Sequence, residues 1–280
     1  MPSTTPDELE LIDLHHLGRP MAVGAWRVGD VIVDPGPSSC LARLLPVLER
    51  HPPRIIALTH IHLDHAGSTG TLAARFPHAE IWVHERGARH LADPSRLLDS
   101  AGRLYGSEME RLWGEVRPVP AERLRVLHGG EKLEGFEVAY TPGHAKHHVS
   151  YMHRASGYAF TGDVAGVRIG GGAVLAPTPP PDIDLEAWDA SLALLQSWRP
   201  TALAITHFGA YGDAQEQLAS LRSHLPELGR LAAEAGETEF AEAIRARVAA
   251  AARSGPAETY DQATSSKQNY QGLRRYLGAG

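Results

Sequence analysis

Short apolar runs recur along this chain, each closed by glycine, proline or a polar pair, and stretches with helical spacing separate them. MAVGAWRVGDVIVDPG (21–36) reads as two strands. The second, over 28–33, is rich in β-branched residues and ends at the turn signal Asp34-Pro35-Gly36. In SSCLARLLPVLERH, Leu41, Leu44, Leu45 and Leu48 have helical spacing, with Ser38 or Ser39 as the cap. RIIALTH is a short strand that ends in a histidine cluster; AGSTGTLAARF predicts a helix and EIWVHE a strand. Residues 86–117 are mixed, with helical pieces around 94–104 and 107–115, and read as an insertion or lid.

RLRVLHGGEKLEGFEVAYTPG (123–143) contains strands broken by Gly129-Gly130 and Gly135. VSYMHRASGYAFTGDV predicts a hairpin turning at Ala155-Ser156-Gly157, and VRIGGGAVLAPTPPPDID a loop too irregular for a core element. DLEAWDASLALLQSW is a helix and TALAITHFG a strand with a histidine at its end. Residues 213–253 are helical with a break at Gly236; SGPAETYDQATSSK reads as a polar linker and QNYQGLRRYL as a last short helix. RIIALTH and TALAITH are continuous apolar runs, the pattern of strands covered on both faces. The class is therefore α/β. One domain is expected over 1–280, with a core at about 10–210 and a helical part at about 213–280.

Composition changes this picture little. At 280 residues and 43% hydrophobic there is material for a substantial core. The net charge of −6, with no basic block, argues against a nucleic-acid partner. Cys40 is the lone cysteine, which excludes an internal disulfide and fits a reducing compartment. MPSTTPDELELIDL lacks the charged start and apolar run of a secretory signal. No apolar stretch approaches the roughly 18 residues of a membrane helix. The expectation is a cytoplasmic protein acting on a small molecule, without nucleic-acid or membrane partners. No oligomeric state follows.

The chemistry lies in THIHLDHAG (59–67), which crowds three histidines and an aspartate into six positions. Three further segments, TPGH, TGD and ITHFG, also close strands with His144, Asp163 and His207. Strand C-termini gather at one rim of a sheet, so such residues can converge. Imidazole and carboxylate are ligands of a borderline divalent metal such as zinc. His60, His62, Asp64, His65, His144, Asp163 and His207 make seven candidate ligands, too many for one tetrahedral ion and suited to two metals sharing a bridge.

Five motifs in order, Asp34 in VDPG followed by THIHLDHAG, TPGH, TGD and ITHFG, resemble the metallo-β-lactamase-fold superfamily over about residues 10–210. The resemblance implies a four-layer α/β/β/α sandwich. It implies that His60, His62 and His144 hold one metal, that Asp64, His65 and His207 hold the other, and that Asp163 bridges them. Asp34 would tie down the ligands without touching metal. The implied cofactor is a pair of divalent ions, zinc in the first place, with iron or manganese as alternatives. Asp64 and Asp163 would take the catalytic part, Asp163 aiming a hydroxide shared by the metals.

The bridging aspartate points away from true β-lactamases and towards the glyoxalase II and lactonase branches. The chain departs from both. After Asp163 it reads VAGVRIGGG, without glyoxalase-type Leu-Phe and Gly-Arg elements, and Gly166 stands where lactonases carry a tyrosine. The leading reading is a dinuclear hydrolase of a small-molecule ester, thioester or lactone. A mononuclear iron sulfur (persulfide) dioxygenase and a non-catalytic metal-binding member are the alternatives. Arg168, Tyr211, Arg274 and Arg275 are candidate pocket residues, as are Tyr105 and Trp113. His147 and His148 are read as following or orienting His144. His15, His16, His51, His78, His84, His90, His128, His153 and His224 have no partner motif and are read as structural or surface residues.

Overall fold

The computed structural model describes residues 9–251 and 255–278. Most of the N-terminal segment weighed as a signal, and the junction between the predicted 213–253 helix and the linker, lie outside the described residues.

Two six-stranded sheets pack face to face. The first takes its strands in chain order: β1 (Leu9–Asp13), β2 (Gly24–Val28), β3 (Val31–Val33), β4 (Ile55–Ala57), β5 (Glu80–His84) and β6 (Leu124–Leu127). β1, β2 and β3 are antiparallel neighbours, while β3 to β6 run parallel. The second contains β7 (Lys132–Leu133), β8 (Phe136–Tyr140), β9 (Val149–His153), β10 (Tyr158–Phe160), β11 (Ala202–Ile205) and β12 (Gly209–Tyr211). It is ordered β12-β11-β10-β9-β8-β7, and only β10 and β11 are parallel.

The helices are α1 (Leu41–Arg50), α2 (Leu63–Ala66), α3 (Thr69–Arg75), α4 (Glu85–Ala92), α5 (Ser95–Tyr105) and α6 (Met109–Trp113) in the first half of the chain. The second half adds α7 (Leu185–Ser197), α8 (Ala214–Glu234), α9 (Glu237–Ala250), α10 (Ala257–Ala263) and α11 (Ser266–Tyr276).

Strand alternation explains the continuous apolar runs. Val31, Val33, Ile55 and Ala57 point between the sheets, where they meet Trp82, Phe136, Val138, Tyr151 and Phe160. Ile32 and Ile56, at the intervening positions, face outward and pack with Leu44 and Leu48 of α1 and Leu72 of α3. On the far side, Leu203 and Ile205 of β11 meet Trp188, Leu192 and Leu195 of α7 and Leu218, Leu221 and Leu225 of α8. Each fully buried leucine contributes about 1.5–3 kcal/mol. The result is the four-layer α/β/β/α sandwich, with the C-terminal helices laid against the second sheet.

Four local expectations change. Neither serine caps α1: Ser38 Oγ donates to the Gly67 carbonyl and Ser39 Oγ to that of Leu112, at 3.2 and 2.7 Å, because a 3₁₀ turn over Ser38–Cys40 precedes the helix. α4 was not foreseen, because its pattern has few apolar residues and only Gly87 and Leu91 are buried. The Gly- and Pro-rich stretch is irregular, yet Val167, Ile169 and Leu175 are buried in the core. It closes its own bonds through a Val167–Leu175 bridge. The polar linker contains α10, whose Tyr260 is buried and donates through its hydroxyl to the Ala173 carbonyl at 2.8 Å.

Candidate metal centre

The loops leaving β4, β8, β10 and β11 meet at one rim of the sandwich. β4 leads through Thr59 to buried His60, and the next turn places His62 just before α2, which carries Asp64 and His65. β8 leads to Gly143-His144. A Cβ on Gly143 would lie 2.4 Å from Trp188 Cα, so only glycine lets this turn reach α7. β10 leads through Gly162 to Asp163, and β11 through Thr206 to His207.

All seven predicted donors arrive together in two sets, His60, His62, His144 and Asp163, and Asp64, His65 and His207. His62 Nδ1 lies 3.0 Å from His60 Nε2 and 2.9 Å from His144 Nε2. Two nitrogens on one tetrahedral zinc are ~3.3 Å apart, so these three are spaced to share a cation. Asp163 faces both sets. Its Oδ2 is 3.3 Å from His144 Nε2; its Oδ1 is 3.3 Å from His65 Nε2 and 3.5 Å from His207 Nε2. Asp64 Oδ2 is 3.4 Å from His207 Nε2 and 3.9 Å from His65 Nε2. His65 Nε2, His207 Nε2 and Asp163 Oδ1 are buried without a hydrogen-bond partner. An orphaned buried polar atom costs roughly 1–3 kcal/mol. Three converging on one point fit a divalent cation as their missing partner.

The opposite ring nitrogens are anchored. His144 Nδ1 donates to the Pro177 carbonyl at 2.8 Å and His207 Nδ1 to that of Ala22 at 2.6 Å. Thr59 Oγ1 lies 3.0 Å from His60 Nδ1 and donates to Asp34 Oδ2 at 2.7 Å, so the imidazole is the donor of the first contact. Asp34 is fully buried. It accepts from Thr59 N at 2.8 Å, from Thr206 Oγ1 at 3.0 Å and from His65 Nδ1 at 2.9 Å. Anchoring one ring nitrogen fixes the tautomer and leaves the other free for a metal.

The charges divide accordingly. Burial, then the charge of His65, drives His60 well below the usual imidazole value, and burial, then His144, holds His62 at about 4. Burial lowers His144 more than Asp163 raises it. These three are neutral, the form that binds metal. Burial works against the charge on Asp163 and on His65, yet their mutual attraction outweighs it: Asp163 is held well below the carboxylate range and His65 well above the imidazole range.

His62, Asp64 and Asp163 form part of the lining of a cavity of about 510 Å³. One wall is α5 and α6, with Leu97, Ala101, Leu104, Tyr105, Leu112 and Trp113, so the 86–117 segment walls the cavity. The other is the proline loop with Gln262, Gln268 and Asn269 from the C-terminal segment. Tyr105 and Trp113 thus line it as anticipated.

Arg168, Tyr211, Arg274 and Arg275 are not among the lining residues. Arg168 is held by Asp213 and Gln217, and Tyr211 lies under its guanidinium. Arg274 donates to the Ala232 carbonyl, and Arg275 is on the exposed face of α11. α11 does reach the cavity, but through Gln268 and Asn269 of its first turn, about two turns before Arg274 and Arg275. His16, His90 and His147 line the cavity too. His16 is buried against Trp113, with ring centroids 5.5 Å apart, and its Nε2 donates to the Leu112 carbonyl at 2.8 Å. No local signal in the sequence distinguishes it from His15. His84, His153 and His224 are buried structural histidines.

The sequence model described as the metallo-beta-lactamase superfamily matches residues 29–207. Over 188 residues the chain is 29% identical to a metallo-beta-lactamase fold-containing protein of Sulfurisphaera tokodaii, covering 64% of this chain and 68% of that protein. The crystal structure of an archaeal superfamily protein from Sulfolobus tokodaii aligns with 96% of this chain and 98% of its own at a TM-score of 0.71 and 22% identity, a likeness of fold alone. The hydroxyacylglutathione hydrolase of Xanthomonas euvesicatoria is 31% identical over 160 residues, which cover 55% of this chain and 48% of that protein. A protein crystallised in a di-iron-bound form is 26% identical with a TM-score of 0.54, over 70% of this chain and 93% of its own. The match covers more than half of the chain and takes in Asp34 and all seven donors, and the two sheets with their rim of histidines have the architecture it implies: the chain belongs to the metallo-beta-lactamase superfamily.

Proposed function

We propose that this chain is a dinuclear metallohydrolase of a small-molecule ester, thioester or lactone. The observation that carries this reading is Asp163, whose two oxygens face the two sets of donors while Oδ1 and two facing imidazole nitrogens lack any other partner. His60, His62 and His144 would hold one ion, Asp64, His65 and His207 the second, and Asp163 both. Zinc suits these donors; iron and manganese accept them as well. Divalent ions held there would supply Lewis acidity and bring the pKa of a coordinated water down towards neutrality.

The protein's own part is placement. Asp163 and Asp64 put negative charge on the cavity floor, where they can accept hydrogen bonds from a water and orient it. The anchors at Pro177, Ala22 and Asp34 keep the imidazoles aimed without reorganisation. Leu97, Ala101, Leu104 and Trp113 offer an apolar wall, and about 510 Å³ accommodates an acyl group with its leaving group. The relative named as a hydroxyacylglutathione hydrolase supports acyl transfer to water as the reaction.

The test is elemental analysis of purified protein, then turnover of thioesters, lactones and phosphodiesters. Two ions per chain with thioester or lactone cleavage is expected. One iron per chain with oxygen-dependent turnover of a persulfide would replace this reading with a sulfur dioxygenase.

A further inference from the structure

We propose that Arg168 is a positioning residue that holds the strand end bearing His207 and so sets how tightly Asp64, His65 and His207 take a cation. The proposal rests on the metal-site reading above. The backbone of Arg168 brackets His207: its N–H donates to the His207 carbonyl at 2.7 Å, and its carbonyl accepts from Phe208 N at 3.1 Å. The same carbonyl accepts from the Tyr211 hydroxyl at 2.6 Å. The peptide beside this metal-facing imidazole is therefore located by residue 168.

The side chain in turn locates that backbone. Arg168 Nη1 donates to Asp213 Oδ1 at 2.8 Å and to Gln217 Oε1 at 3.0 Å, and the guanidinium lies 4.4 Å from the centre of the Tyr211 ring. Gln217 is buried, and its Nε2 donates to the Ala165 carbonyl at 2.9 Å, two residues beyond Asp163. One node on α8 thus braces both the loop after Asp163 and the end of β11. His60, His62 and His144 hang from β4 and β8 and share no bond with this node. Arg168→Met removes the bonds to Asp213 and Gln217 but leaves the Gln217–Ala165 bond that holds the loop after Asp163, so it should displace His207 while leaving those three and Asp163 in place.

An arginine is specifically suited to the position. Its planar guanidinium lies on the Tyr211 ring while Nη1 alone bonds to both acceptors; a lysine ammonium could reach Asp213 but would stack less well.

Metal-free wild type, Arg168→Met and Arg168→Lys would each be titrated with zinc against a chromophoric chelator, and their metal-free unfolding midpoints recorded. The wild type should take two equivalents. Arg168→Met should keep the tighter one and bind the second about 10- to 100-fold more weakly, the usual loss when a group supporting a ligand is removed. Arg168→Lys should fall between them. Asp213→Asn, which removes only an exposed anchor, should shift the second equivalent in the same direction by less. Two equivalents as tight in Arg168→Met as in wild type would overturn the proposal. So would equal weakening of both together with a lower metal-free midpoint, since that is the signature of general structural support. Wild-type protein that takes up no zinc, iron or manganese would sink the metal-site reading itself, and this proposal with it.

Discussion

Asp34→Asn is the substitution that best separates anchoring a ligand from being one. Asp34 sits at a φ of 49°, and asparagine tolerates this left-handed backbone, so the change alters hydrogen bonding and charge but not shape. The carboxylate accepts four hydrogen bonds, from Thr59 N, Thr59 Oγ1, Thr206 Oγ1 and His65 Nδ1. An amide offers one oxygen and one NH₂. If the oxygen stays on Thr59 N, the two threonine hydroxyls can turn and accept from the new NH₂. His65 cannot adapt so freely. With Nδ1 facing an amide donor, its proton is driven to Nε2, the atom that points at Asp163 and Asp64. The loss is then one hydrogen bond to a charged group, about 1.5–3 kcal/mol. At 1.4 kcal/mol per tenfold, this is about 10- to 100-fold in affinity. It should fall on the set containing His65 and spare His60, His62 and His144. The assay is the stepwise titration of metal-free protein with zinc, with His128→Ala, an exposed residue outside both donor sets, as the control. The reasoning fails if the Asp34→Asn protein binds its second equivalent like wild type, or if the first equivalent weakens as much.

Three further outcomes are expected. Asp163→Ala, which removes the carboxylate facing both sets, should deplete both metals on elemental analysis and cut hydrolysis by orders of magnitude, more than any one-metal ligand does. Gly143→Ala would place a methyl group 2.4 Å from Trp188 Cα at a φ of 134° and should lower the thermal midpoint by an amount corresponding to roughly 3 kcal/mol; an unchanged midpoint would show that α7 can yield. Chelation should destabilise the protein, because an ion at about 100 times its Kd adds about 2.7 kcal/mol to the folded state. A midpoint insensitive to chelator and to added zinc would argue against a loaded centre.

The layers and the donors were legible for a common reason: both are periodic or local. RIIALTH and TALAITH read as strands covered on both faces because Ile55–Ala57 and Ala202–Ile205 are apolar without a break, and Ile56 does face one layer while Ile55 and Ala57 face the other. The seven donors were visible because each follows a strand end within a few residues, so knowing the strands was enough to place the donors at one rim.

The cavity wall beyond the 86–117 segment was not legible, since it is assembled from segments far apart in sequence. Gln262 reaches His16 across the fold, with its Nε2 2.7 Å from the His16 carbonyl, and nothing within either segment specifies that contact. The orientation of α11 decided the same way. Arg274 and Arg275 are conspicuous in the sequence, but they stand in the last turn of α11, and the packing of Gly272 and Leu273 lays the helix so that its first turn, with Gln268 and Asn269, meets the cavity instead. Arg168 was likewise noticed for its charge, while its partners Asp213, Gln217 and Tyr211 come together only when β12 and α8 pack beside the loop after Asp163. Spacing along the chain determined which groups could reach the rim. Long-range packing, which no local period encodes, decided which side chains surround them.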